Sequence, residues 1–168
     1  MNNNIILIGM PGSGKSTVGI VLAKDLGMQF IDVDLVIQKS QNELLQKTLD
    51  RLGPDKFIEL EADIVCTLNP TDCVISPGGS AVLTDRGAKH LKSLGKTVYL
   101  KSSPDLLLAH IKNLSSRGIA IKPGQTFMDL YNYRAPIYEK YADITVDTDG
   151  KTLAQTVSAI EKLLKHRK

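Results

Sequence analysis

The chain has 168 residues, 42% hydrophobic and 23% charged, which suits one buried core and excludes a disordered polymer. A net charge of +3 is too small to mark a nucleic-acid arm, and its surplus at Lys162, Lys165, Arg167 and Lys168 fits the negative end of a closing helix. No basic leader precedes the apolar run at 5–8, which is too short for a signal or a membrane span. The expectation is a single cytoplasmic domain over 1–168 that engages neither membrane nor nucleic acid. Cys66 and Cys73 have no CxxC spacing and read as small buried hydrophobes in a reducing compartment.

In chain order, short apolar runs predict strands at 4–8, 29–32, 73–76, 97–100 and 144–146. Longer amphipathic patterns predict helices at 15–26, 35–47, 56–68, 85–94, 104–114, 126–141 and 153–165. Continuous apolar strands are those of a sheet covered on both faces. Strand–helix alternation makes that sheet mainly parallel, with right-handed crossovers. Ligands of such α/β folds bind at the carboxyl ends of the strands. The segment 115–125, SSRGIAIKPGQ, has no sustained periodicity and reads as a loop. Loops of that length inside a domain often serve as lids.

After the first strand comes Gly9-Met10-Pro11-Gly12-Ser13-Gly14-Lys15-Ser16-Thr17, which matches G-x-x-x-x-G-K-[ST] and opens the first helix. Its glycines, Gly12 and Gly14 among them, let successive N–H groups converge on phosphate oxygens, with the helix N-terminus behind them. Gly12, Ser13, Gly14, Lys15, Ser16 and Thr17 are therefore the candidate ATP-binding residues. Lys15 reaches the β and γ phosphates and the Ser16 hydroxyl ligates Mg²⁺.

A phosphate loop alone does not separate a kinase from other nucleotide-binding proteins. Asp32-x-Asp34 at the end of the second strand adds two carboxylates on one face, if both lie on the strand. Like charges so placed call for a cation or a donor between them. Asp32 reads as a contact behind Mg²⁺, and Asp34 as the group that orients and deprotonates an acceptor hydroxyl. Alternatively, Asp34 caps a helix that starts at Leu35.

GMPGSGKST, FIDVD, PGGSAVL after the third strand and YRAPIYEKYADITVDT near the end together resemble the shikimate kinase family, nearly end to end and in order. The resemblance implies a P-loop NTPase fold of nucleoside-monophosphate-kinase type: three α/β/α layers, a five-stranded parallel sheet, a substrate-binding region at about 33–62 and a mobile lid at about 112–126. It implies transfer of the ATP γ-phosphate to the 3-hydroxyl of a small acceptor, shikimate; the chain is expected to act as a monomer. Carried over, Asp34 holds ring hydroxyls, Gly78 and Gly79 form the substrate loop with Ser80, and Arg134 grips the substrate carboxylate. Arg117 would close over the phosphates, so Lys15, Asp34 and Arg117 are the catalytic candidates. His110 stands near the family's adenine-stacking position, and 148–152 would supply the other wall. Without the resemblance, Arg134 reads as a surface helix charge and Arg117 as a solvated loop charge. The tyrosines around Arg134 read as helix packing.

Three positions depart from the family pattern. Phe-Arg-x-x-Glu becomes Phe57-Ile58-Glu59-Leu60-Glu61, the third glycine of the substrate loop is Ser80, and Arg117 is followed by Gly118. A charge-assisted hydrogen bond contributes about 1.5–3 kcal/mol, so the guanidinium missing at Ile58 predicts shikimate binding weaker by about ten- to a hundredfold. Glu61, without an arginine one turn earlier, would favour extra hydroxyls or an amine in the ligand. The expected acceptor is shikimate. The alternatives are another small hydroxy compound such as homoserine or a polyol, and a nucleotide-binding module without catalysis.

Overall fold

The structure is a computed structural model that describes residues 3–111 and 118–165. Five strands, β1 (Asn4–Ile8), β2 (Gln29–Asp32), β3 (Cys73–Ser76), β4 (Gly95–Lys101) and β5 (Ile144–Asp147), pair in parallel in the order β2-β3-β1-β4-β5. Eight helices are described: α1 (Lys15–Leu26), α2 (Val33–Gln41), α3 (Leu45–Leu52), α4 (Pro54–Thr67), α5 (Asp85–Leu94), α6 (Pro104–His110), α7 (Phe127–Tyr141) and α8 (Leu153–Lys165).

The period-two geometry of β1 divides the core. Ile6 and Ile8 join Val33, Ile37, Phe57, Val65, Ile75 and Tyr138 on one face of the sheet. Ile5 and Leu7 join Val18, Leu22, Val74, Val98, Val157 and Ile160 on the other. Both faces are therefore apolar and helix-covered, which is why β1 and β3 are buried throughout while edge strand β5 alternates. This is the expected three-layer arrangement. The chain leaves β1 toward β2 on one side and later fills β4 and β5 on the other, so a crevice opens at the carboxyl end of β1.

The strands lie where the apolar runs place them, with β4 extended to Gly95–Lys101. The helices differ in four places, one of them α6, which ends at His110 with Ile111 as its C-cap where a helix to 114 was expected. The single helix expected at 35–47 is two, because Asn42 turns into the left-handed region (φ 53°) and its N–H closes onto the Gln38 carbonyl. α2 begins at Val33, capped by the Asp32 side chain, which accepts from the Asp34 N–H. Asp34 is thus neither on a strand nor a cap, but in the first helical turn. α4 begins two residues early because Pro54 suits the first helical position. His90 donates from Nε2 to the Leu68 carbonyl at 2.8 Å, which ties α5 to the end of α4. No described helix is long and apolar enough to cross a membrane.

Candidate active site

A cavity of about 840 Å³ opens at the carboxyl edge of the sheet. Its floor is the loop between β1 and α1. Gly12 and Gly14 hold φ of 82° and 85°, which L side chains rarely adopt. A Cβ on Gly12 would also stand 2.7 Å from Ile111 Cγ1. Lys15 Nζ donates to the Gly9 and Met10 carbonyls at 2.9 and 3.0 Å, so the ammonium is held in the curve of the loop. Burial pushes the Lys15 ammonium down to about 8, although Asp34 and Glu61 oppose the shift.

Ser16, in the first turn of α1, lies beside Asp32, which ends β2. The Ser16 hydroxyl donates to Asp32 Oδ2 at 2.8 Å, and Oδ1 takes the Asp34 N–H at 3.0 Å. Both Asp32 oxygens are thereby committed, one of them to the hydroxyl expected on the metal. Among the described residues no group of three His, Cys, Asp or Glu is placed to hold a metal ion. An Mg²⁺ held by one hydroxyl would take its remaining ligands from phosphate and water.

Opposite the phosphate loop, four elements bring the acceptor candidates together: Asp34 from α2, Glu61 from α4, Gly78-Gly79-Ser80 after β3, and Arg134 from α7 all line the cavity. Gly78 lies where the two carboxyl groups converge, since a Cβ there would collide with the Glu61 carboxylate and stand 2.9 Å from Asp34 Oδ1. Burial, then the charge of Asp32, raises the Asp34 carboxyl to about 6. Burial, then the charge of Asp34, raises Glu61 to about 7, opposed by the Ser80 hydroxyl, Arg134 and Lys15. Ser80 donates its hydroxyl to Glu61 Oε2. Glu61 Oε1 and Arg134 Nε are buried without a hydrogen-bond partner among the described residues.

Arg134 is only 2% exposed, so the reading of it as a surface charge fails. Its Nη2 donates to the Ala120 carbonyl at 2.9 Å, and Nη1 lies 3.2 Å from where a Gly79 Cβ would stand. α7 is fixed at its start by a capping box between Thr126 and Asp129. One turn beyond Arg134, Tyr138 donates from its hydroxyl to the Gly79 carbonyl at 2.5 Å. Sequence reasoning missed this tie. Its signal was the i, i+4 spacing from Arg134, which puts both side chains on one face of α7.

At the far end of the cavity His110 donates from Nδ1 to the Gly12 carbonyl at 3.1 Å. Thr148, Gly150 and Lys151 line the opposite wall, joined by Leu153 and Thr156, which had not been anticipated. Thr17 also lines the cavity, whereas Ile58 lines a separate cavity of about 580 Å³. Arg117 lies outside the described residues. The arrangement can hold a nucleotide along the phosphate loop and an anionic, hydroxylated molecule between Arg134 and the two carboxyl groups.

The sequence model of the shikimate kinase family matches residues 11–165. A shikimate kinase of Thermodesulfovibrio yellowstonii is 34% identical over 162 residues, 95% of this chain and 93% of that protein. One of Moorella thermoacetica is 35% identical over 167 residues, 98% of this chain and 96% of that protein. The solved structure of shikimate kinase from Acinetobacter baumannii in complex with shikimate superposes with a TM-score of 0.91 at 27% identity, covering 100% of this chain and 96% of that one.

Proposed function

The chain belongs to the shikimate kinase family, and on that premise we propose that it transfers the γ-phosphoryl group of ATP to the 3-hydroxyl of shikimate in the cavity at the carboxyl end of β1. The observation that carries the acceptor half is Arg134. A guanidinium buried to 2% exposure, with Nε unpartnered among the described residues, leaves charge uncompensated unless a ligand anion meets it. Its planar fork suits the substrate carboxylate.

With the carboxylate on Arg134, the ring lies along Gly78 and Gly79 and its hydroxyls face Asp34. The Asp34 carboxyl, raised to about 6, accepts the hydroxyl proton as the oxygen attacks the γ-phosphorus and the bond to the bridging oxygen breaks, releasing ADP. Lys15 leaves its two carbonyl partners for the β and γ phosphates. Gly12, Ser13, Gly14 and Thr17 surround the phosphate chain, and His110 flanks the base across from Thr148 and Lys151. The Ser16 hydroxyl and Asp32 behind it suit an Mg²⁺ ion, which when bound neutralises phosphate charge.

The region 33–62 supplies Asp34 and Glu61. The stretch 112–126 is assigned as the lid, supported by its described part, which has no helix or strand and meets the site through Ala120. Arg117 is assigned to the transferring phosphoryl group on its place in the sequence alone. The protein is read as a monomer.

The test is a coupled ADP-release assay of the purified protein with shikimate, homoserine and simple polyols. Turnover with shikimate, far above the other acceptors, is expected. Turnover confined to homoserine or a polyol, or ATP binding without turnover on any acceptor, would overturn the reading.

A further inference from the structure

Glu61 is buried to 1% exposure and its two oxygens differ. Oε2 takes the hydroxyl of Ser80, itself 4% exposed, while Oε1 has no partner among the described residues. The position one turn earlier on α4, where a cation could reach back, is the apolar Ile58, which faces the second cavity. Lys15 and Arg134 act on Glu61 through their fields, but no described ion pair joins either to it. A buried carboxyl with half its hydrogen-bonding capacity unmet costs stability unless a ligand completes it. The free oxygen and Asp34 Oδ1 converge on the space above Gly78, which is where the proposed acceptor lies.

We propose that Ser80 is a specificity-determining positioning residue: its hydroxyl fixes Glu61 Oε2, which presents Oε1 to a second acceptor hydroxyl, next to the one that Asp34 holds. The inference rests on the reaction proposed above and adds which side chains hold the acceptor's second hydroxyl. The groups facing Glu61 are Asp34 from α2, Lys15 from α1, Arg134 from α7 and Ser80 itself. Held up at about 7, the carboxyl both accepts from and donates to a hydroxyl near neutral pH. An ammonium, which needs a full negative charge, is served less well.

The test compares kcat and KM for shikimate and for 4-deoxyshikimate, which lacks the hydroxyl beside the one phosphorylated, in the wild type, Ser80→Ala and Glu61→Met. The wild type is expected to favour shikimate by about tenfold or more in kcat/KM, as one hydrogen bond to a charged group implies. In both variants the KM for shikimate should rise several-fold and the preference should fall below about threefold, with the KM for ATP unchanged. Glu61→Met replaces the buried carboxyl with an apolar group of similar volume, so the question stays answerable if Ser80→Ala folds poorly. A preference as strong in the variants as in the wild type, even with lowered thermal stability, would overturn the role and leave the proposed reaction standing. No wild-type turnover of shikimate would overturn the reaction and this role with it.

Discussion

Arg134 concentrates the substrate problem in one side chain. It is buried, one nitrogen is tied to the Ala120 carbonyl, and the neighbouring Gly79 carbonyl is held by Tyr138. Arg134→Lys keeps the charge and loses the fork. The KM for shikimate should then rise about ten- to a hundredfold, the equivalent of one charge-assisted bond of roughly 1.5–3 kcal/mol, with the KM for ATP little changed in steady-state assays. An unchanged KM for shikimate would place the carboxylate elsewhere. At this scale the candidate phosphate-binding residues stand out in the sequence because Lys15 and Ser16 sit in a contiguous string whose chemistry depends on local spacing. The ties that shape the acceptor half do not. Ser80 meets Glu61 across 19 positions and Tyr138 meets Gly79 across 59, and one of those partners is a backbone carbonyl that leaves no trace in residue identity.

Among the elements, the strands were legible because burial on both faces forces uninterrupted apolar runs, as in Ile5-Ile6-Leu7-Ile8. α7 was legible despite Pro136, since its capping signal and its apolar face outweigh one missing N–H. The division of 33–52 into α2 and α3 was not, because it turns on a single Asn42 that adopts the left-handed region while its neighbours remain good helix formers. A separate misplacement, the start of α2 set at Leu35 rather than Val33, left Asp34 beside Asp32 at the strand end. In the structure Asp32 caps the helix and Asp34 is its second residue, so the two carboxylates are divided between bonding Ser16 and lining the cavity. The proposed role of Asp34 gains from this: its side chain is free for substrate because Asp32 has taken the cap.

At the scale of the whole molecule, the site costs stability, and the cost depends on pH. Asp34 rises from 3.8 to about 6 and Glu61 from 4.5 to about 7, both chiefly through burial. The folded state therefore binds more protons than the unfolded chain between those limits, so stability falls as pH rises through them. At 1.36 kcal/mol per unit, Glu61 alone accounts for up to about 3 kcal/mol. Lys15, lowered to about 8, carries its full penalty below that pH and is relieved only above it, outside this window. The thermal midpoint of the ligand-free protein should drop from pH 5 to pH 8, and Glu61→Met should flatten the slope. A midpoint that climbs over that range in the wild type would contradict the placement of these carboxyls.

In the proposed reaction a phosphate loop, a proton acceptor at Asp34 and a carboxylate anchor at Arg134 act together, and the position of the transferred phosphorus reports their geometry. Phosphorus NMR of the product from ATP and shikimate should show the phosphate coupled to the proton at C3, with one ADP formed per phosphorylated ring. Phosphate on another hydroxyl, or inorganic phosphate as the sole product, would contradict it.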